Sequence, residues 1–163
     1  MSKTLTNGAP APAANGAANP ASPANGAPPP AMPTVSANEK TKGFTYDPKE
    51  QHYFVIAIPG LESRAMGLKA ALNDFSTFKF NSLNLSINMD LLNQKEVAVV
   101  AKSFQNATQA KIFMNTVKAT PEIFREYKAN EYQIWIISAS NYNKLFTDHT
   151  MVPYEAFYKA NYK

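Results

Sequence analysis

Tyr53-Phe54-Val55-Ile56-Ala57-Ile58 is an unbroken run of apolar, β-branched and aromatic residues, and Pro59-Gly60 ends it. Such a run, closed by a turn signal, is typical of a strand that is buried on both faces. The sequence therefore predicts a central strand at residues 53–58, with its neighbours supplied by the segments that follow.

The next segment predicts a helix and then a strand with one polar face. Apolar residues first recur at intervals of four and three, which places them on one side of a helix with Ser63 as a candidate cap. The period then changes to two, which is typical of a strand that is buried on one face only. The helical set is Leu61, Ala65, Leu68, Leu72 and Phe75; the strand set is Leu83, Leu85, Ile87 and Met89, alternating with Ser82, Asn84, Ser86 and Asn88. Residues 90–95 are predicted to be a short connection.

The second half of the chain repeats the order of strand, helix and strand. Residues 97–101 form an apolar run, and Asn106-Ala107-Thr108-Gln109 has the pattern of a capping box that opens a helix. Thr120-Pro121 is expected to end that helix. Residues 132–137 are a further apolar run, which predicts a fourth strand.

Two helices are predicted after the fourth strand. Ser140 is a candidate cap for a short helix that runs to Phe146, and Pro153 suits the first turn of a last helix that runs to Tyr162. We expect these helices to cover a sheet edge or part of the open face of the sheet.

The predicted order, β-α-β-β-α-β, is that of the split βαβ or ferredoxin-like plan. Right-handed crossovers place both helices on one face of a four-stranded antiparallel sheet with strand order 4-1-3-2. The opposite face is then expected to carry Asn84, Ser86 and Asn88, which we take as a candidate interaction surface. The predicted fold class is α+β, over residues 44–163.

Residues 1–43 have a different composition from the rest. All nineteen aromatic residues lie at or after Phe44, and residues 9–33 are mostly Ala, Pro, Asn and Gly. Such a segment has too few apolar side chains to offset the entropy lost on ordering, so we predict a disordered linker. A connector of this kind is expected to join the domain to something upstream, which favours a piece of a longer protein.

The residue content argues against catalysis. The chain has no Cys and only two His, His52 and His149, which we interpret as surface residues. Neither G-x-x-x-x-G-K nor G-x-G-x-x-G occurs, and no run of 18 apolar residues is present. We therefore predict no enzymatic activity, no cofactor, no metal site and no transmembrane segment.

The charge pattern argues against nucleic acid as a partner. The net charge is +4 and the pI about 9.2, but acidic and basic residues alternate and no three basic residues are consecutive. The central strand at residues 97–102 also lacks the aromatic residues that stack bases in RNA-binding sheets of this plan. A cytoplasmic RNA-binding or regulatory domain remains as a second alternative.

Tyrosines are concentrated near the C-terminal end of the sequence. Tyr154, Tyr158 and Tyr162 are spaced by four, so they share one face of the last predicted helix. Tyrosine suits interfaces because its body is apolar and its tip polar. This face is either a docking surface or the side by which the helix packs on the domain.

One resemblance covers the third predicted strand and the helix after it. The segment Val97-Ala98-Val99-Val100-Ala101-Lys102-Ser103-Phe104-Gln105-Asn106-Ala107-Thr108-Gln109-Ala110 resembles the strand-Phe-helix element of SPOR domains. Those domains are small ferredoxin-like modules that bind peptidoglycan glycan strands. The first strand departs from the family at Ile56-Ala57-Ile58-Pro59, where SPOR domains carry Gln and a Gly-containing turn.

A second resemblance covers most of residues 51–163. The segments that carry it are 52–59, Leu72-Asn73-Asp74-Phe75, Lys102-Ser103-Phe104-Gln105-Asn106, 136–142 and 154–162. They are similar to the C-terminal region of Bacteroidetes TPR-containing lipoproteins of gliding motility and type IX secretion (SprE/PorW-like).

The second resemblance implies a non-catalytic domain that binds protein subunits of an envelope assembly. It also implies a periplasmic or outer-membrane-associated location; if the chain is complete, a cytoplasmic location is expected instead. The SPOR resemblance implies a glycan-binding module, with peptidoglycan as the alternative partner.

Overall fold

The computed structural model describes residues 43–60, 62–149 and 152–162. Its strands are β1 (His52–Pro59), β2 (Ser86–Asn93), β3 (Glu96–Phe104) and β4 (Gln133–Ser138), and its helices are α1 (Glu62–Lys79), α2 (Ala107–Lys118), α3 (Ala139–Asp148) and α4 (Val152–Asn161). Two short 3₁₀ turns lie at Asn81–Leu83 and Pro121–Phe124. The predictions for Leu61 and for the tail, apart from Gly43, lie outside the described residues.

The four strands form one sheet in the order β2-β3-β1-β4, and every neighbouring pair is antiparallel. This is the order 4-1-3-2 expected for two right-handed strand-helix-strand units. The predicted α+β class and the four-stranded antiparallel sheet with C-terminal helices are therefore confirmed.

The main core lies between the sheet and helices α1 and α2. Phe113 of α2 is its centre, since four aromatic rings lie with their centroids within 6 Å of it: Phe54, Phe75, Phe80 and Phe104. Phe104 reaches this core because β3 carries an extra residue, with His52 opposite Phe104 but Phe54 opposite Ala101. Ser103 takes up the irregularity with a positive φ of 86°.

The other face of the sheet is covered by the C-terminal helices. The ring of Tyr53 on β1 lies 5.4 Å from that of Tyr142 on α3, and Trp135 on β4 lies 6.3 Å from Tyr154 on α4. This face is therefore largely closed over β1 and β4, and the helices cover the sheet as the sequence predicts.

The position of β2 corrects the prediction from the alternating pattern. The alternation begins at Ser82, but residues 81–83 form a 3₁₀ turn and Asn84 adopts a left-handed conformation with φ of 46°. Asparagine tolerates this conformation, so the chain turns where the pattern predicts extended backbone. The strand then runs on to Asn93, through residues predicted to be a connection. Asn84 consequently lies outside the sheet.

Of the three candidate helix caps, one agrees with the structure and two differ. Asn106 caps α2 by accepting a hydrogen bond from the Gln109 N–H at 2.9 Å, as predicted. The cap of α3 is Ser138 rather than Ser140, and Ser63 lies inside α1. In both cases the helix begins earlier in the sequence than predicted, so the candidate cap lies inside the helix.

Candidate functional site

The tyrosines of the last helix are mostly packed into the domain. Tyr154 is fully buried, and its hydroxyl donates to the carbonyl oxygen of Ile136 on β4 at 2.6 Å. Tyr162 is also buried, and its ring stacks on that of Tyr158 at 5.3 Å. The half-buried Tyr158 reaches Met114 of α2, with its oxygen 3.4 Å from the sulfur. Burial raises the pKa of all three hydroxyls.

This arrangement corrects the docking interpretation of the last helix. A partner cannot reach Tyr154 or Tyr162, because neither side chain is accessible. Tyr154 and Tyr162 instead pack α4 onto the sheet, which is the alternative that the sequence left open. Only Tyr158 keeps part of its surface exposed.

His52 lies in the interior, which corrects its interpretation as a surface residue. Its Nδ1 is 2.7 Å from the Glu50 carbonyl oxygen, and its Nε2 is 2.8 Å from the Tyr162 hydroxyl. A carbonyl only accepts, so Nδ1 carries the proton and Nε2 of the neutral ring accepts from Tyr162. Burial lowers the pKa of His52, and the Glu50 carbonyl partly offsets this effect.

His149 and Glu50 also have roles that the fold explains. His149 lies at the surface as predicted, at the left-handed end of α3, with Nδ1 3.2 Å from the Leu92 carbonyl oxygen. The Glu50 carboxylate accepts from the N–H and hydroxyl of Ser140, at 2.6 and 2.8 Å. A carboxylate here stabilises the positive end of α3. These groups hold the fold together.

A cluster of charged and aromatic side chains lies where α3 meets β2 and β3. We call it the Asp90 cluster; its members are Tyr53, Asp90, Lys102 and Tyr142. The Asp90 carboxylate is 3.1 Å from the Lys102 ammonium and accepts from the Tyr142 hydroxyl at 2.5 Å. The ammonium lies 5.7 Å and 5.4 Å from the centres of the Tyr53 and Tyr142 rings.

The Asp90 cluster is partly open to solvent. The side chains of Lys102 and Asp90 are 29% and 22% exposed. Each charge has an opposite charge beside it, and the two rings give the ammonium further electrostatic support. Burial, together with the hydrogen bond to Asp90, raises the pKa of Tyr142, so this hydroxyl stays protonated as a donor.

Two of the predicted surface residues, Ser86 and Asn88, lie beside the Asp90 cluster. Ser86 is opposite Lys102 in the strand register, and Asn88 is two residues from Asp90, so all four share one face. Ser86 is exposed and Asn88 half-buried, with the Asn88 amide donating to the Ser86 hydroxyl at 3.1 Å. We call Ser86, Asn88, Asp90 and Lys102 the β2 polar face.

The β2 polar face combines neutral and charged hydrogen-bonding groups. It presents a hydroxyl, an amide and an ion pair, each held by a neighbour within the sheet. Within residues 43–60, 62–149 and 152–162, no group of three or more His, Asp or Glu side chains is placed to hold a metal ion. In the same ranges no helix is long and apolar enough to cross a membrane.

Comparison with known proteins identifies no relative of this chain. No family model, no curated protein and no solved structure matches it.

Proposed function

We propose that residues 44–163 are a non-catalytic protein–protein interaction domain of a cell-envelope secretion or gliding-motility assembly, and that the domain binds through the β2 polar face. One observation supports this choice of surface above the others. Ser86 is exposed and Asn88 partly exposed beside a fixed ion pair, whereas Tyr154 and Tyr162, the other candidates, are buried.

The side chains of the β2 polar face are held in place by their neighbours, which favours a role in binding. The Asp90 carboxylate is held by both Lys102 and Tyr142, so its position is set before a partner arrives. Groups that are already ordered lose little conformational entropy on binding. A partly exposed ion pair held within a sheet is therefore suited to recognising polar groups of a partner.

The non-catalytic part of the proposal rests on how the chain uses its titratable groups. His52 is enclosed by two hydrogen bonds, and Glu50 is used to hold the start of α3. The His52 ring is buried, and the half-exposed Glu50 carboxylate is already bonded to Ser140. The envelope assembly and the periplasmic or outer-membrane-associated location rest on the resemblance of residues 51–163 to the gliding-motility and type IX secretion lipoproteins.

Site-specific photocrosslinking in a gliding bacterium tests the proposal. A photoreactive residue at Asn88 is expected to crosslink to a subunit of the secretion or motility assembly. The matched control is the same residue at Asn73, which is exposed on α1, away from the β2 polar face. Equal crosslinking from both positions, or crosslinking only to cytoplasmic proteins, contradicts the proposal.

A SPOR-like glycan-binding module is the second candidate, and the composition of the same face favours it. Ser86, Asn88 and Asp90 offer hydroxyl, amide and carboxylate groups, and the half-buried Tyr53 ring lies beside Lys102. Such groups form hydrogen bonds to sugar hydroxyls. Strong retention of the purified chain on amidase-treated sacculi, lost in Asn88→Ala and kept in Asn73→Ala, supports this candidate over the first.

A further inference from the structure

The two edge strands of the sheet differ in what packs against their outer sides. At β4, helix α4 packs against the strand, and the Tyr154 hydroxyl donates to the carbonyl oxygen of Ile136. At the other edge, β2 pairs with β3 on its inner side, and no described strand pairs with its outer side. One edge therefore has a helix packed against it, whereas the other has no described strand on its outer side; His149 contacts β2 only at the carbonyl oxygen of Leu92, near the end of the strand, in the contacts described above.

The outer edge of β2 also lacks the features that keep strand edges apart. Edge strands are commonly short, or carry lysine or proline, because these features prevent pairing with another chain. β2 is eight residues long, and residues 86–91 contain no Lys, Arg or Pro. Its one charge, Asp90, is neutralised by Lys102 of the same chain. The only irregularity in its pairing with β3 lies at the far end, between Leu91 and Asn93.

Apolar surface is exposed along this edge. Leu91 is 51% exposed although it lies within a strand, and Met89 is only partly buried. Both lie on the side of the sheet that faces α1 and α2, because Met89 is opposite Val99 and Leu91 opposite Val97. Burying this surface is favourable in proportion to its apolar area.

We propose that the outer edge of β2 pairs in antiparallel fashion with β2 of a second copy of this chain, so that the two four-stranded sheets become one. The pattern of the strand favours a second copy over an unrelated strand. When a strand pairs with itself about a two-fold axis at Met89, Ile87 lies opposite Leu91 of the second copy. Apolar residues then face apolar residues on the helical side of the sheet.

The residues on the polar face of β2 also fit this pairing. The same register places Asn88 opposite Asp90 of the second copy, so an amide meets a carboxylate and no like charges are directly opposed. The two β2 polar faces then form one continuous surface across the axis. The proposal does not rest on the proposed function, because it concerns the isolated chain.

The oligomeric state of the full chain tests the pairing. Sedimentation velocity at 1–500 μM is expected to show a monomer–dimer equilibrium. Leu91→Lys is expected to weaken the dimer at least tenfold, because it places an ammonium group against Ile87 of the second copy. The matched control is Ile112→Lys on α2, where an apolar residue of similar exposure, 56%, lies far from the edge and should leave the equilibrium unchanged.

A crosslink tests the register. The chain has no Cys, so Met89→Cys introduces a single thiol that the proposed axis places opposite its own copy. Oxidation of this variant is expected to give a disulfide-linked dimer. The control is Ser82→Cys, at an exposed position outside the strand, which should not form the dimer. Thermal melts of both variants check that they fold. A monomer at every concentration, equal effects of the two lysine variants, or equally fast crosslinking at residue 82 overturns the proposal.

Discussion

Tyr154 and His52 are polar side chains inside the domain, and each is bonded to a residue distant in sequence. Tyr154 bonds to Ile136 on β4, and His52 bonds to Tyr162, 110 residues further along the chain. A buried polar group that loses its partner costs about 1–3 kcal/mol. These two residues therefore tie the last helix to the sheet by interactions that hydrophobic pattern alone does not reveal.

We expect Tyr154→Phe to lower the free energy of unfolding by about 1–3 kcal/mol, because the Ile136 carbonyl loses a donor where water has little access. Tyr154→Ala should cost about 3–5 kcal/mol, since it also removes a ring packed against Phe44 and Trp135. Denaturant melts measure both changes. Tyr46→Phe is the control, because Tyr46 is 45% exposed and its hydroxyl has no comparable partner among the described residues. If Tyr46→Phe lowers the free energy of unfolding as much as Tyr154→Phe does, this account is contradicted.

The burial of His52 makes stability depend on pH. In the unfolded chain the ring takes up a proton as the pH falls through 6.5, but burial lowers its pKa in the folded chain. The unfolded state therefore binds more protons between these two pKa values, so the free energy of unfolding falls as the pH is lowered from 7 toward 5. The slope contributed by one proton is at most about 1.4 kcal/mol per pH unit.

Denaturant melts at half-unit intervals of pH measure this slope. We expect His52→Gln to flatten it between pH 5 and 7, because the substitution removes the buried titratable ring. A wild-type stability that is constant over this range would mean that His52 titrates equally in both states.

The burial of His52 follows from a signal present in the sequence. Residues on one face of a strand alternate, and His52 has the same parity as Phe54, Ile56 and Ile58, which face the core. The sequence pattern places His52 just before the predicted strand, and this position predicts a surface residue. Since β1 begins at His52, the alternation extends to it and turns the ring inward.

At the scale of elements, α2 begins as the sequence predicts, with one difference in the reciprocal bond. The Gln109 side chain accepts from the N–H of Gln105, one residue before the cap, rather than from Asn106. The cap bond itself, from the Gln109 N–H to Asn106, is in place. Asn106 is thus the residue on which this helix start depends.

We expect Asn106→Ala to lower the free energy of unfolding by about 0.5–2 kcal/mol, as the loss of an N-cap does. Asn73→Ala is the control, since Asn73 is exposed in the middle of α1 and alanine is the better helix former there. Thermal or denaturant melts compare the two variants. If both variants lose the same stability, the cap bond contributes nothing measurable.

The displacement of β2 shows where an alternating pattern misleads. Ser82 to Leu85 alternate in polarity, but the turn at Asn81–Leu83 and the left-handed Asn84 occupy this stretch. Asp90 interrupts the apolar alternation, and the pattern therefore predicts the start of a loop there. Its charge is tolerated in the strand because Lys102 and Tyr142, distant in sequence, lie beside it.

At the scale of the molecule, strand order could be predicted because it follows from element order and crossover handedness. The candidate site could be predicted only in part. Ser86 and Asn88 are on the polar face as expected, but the Asp90–Lys102 pair depends on the β2–β3 register, which the sequence specifies only after the true strand ends are known. The burial of Tyr154 and Tyr162 likewise depends on where α4 docks.

The composition of residues 1 to about 40 leads to a prediction for the whole chain. This segment contains no aromatic residue and few apolar side chains larger than Ala. Its removal is therefore expected to shift the melting temperature of the rest by less than about 2 °C, since a domain of this size shifts a few degrees per kcal/mol. Calorimetry of the two chains measures the shift, and a larger drop would mean that the segment packs against the domain.

The cover that α4 provides for β4 has a consequence for synthesis on the ribosome. Ser138, the last residue of β4, leaves the ribosome before the residues that shield the edge, up to Tyr162. At about 5–20 residues per second, translation separates the two by at most roughly one to five seconds. The strand is uncovered between the two events, so the rate at which the chain leaves the ribosome limits the time available for mispairing between neighbouring nascent chains.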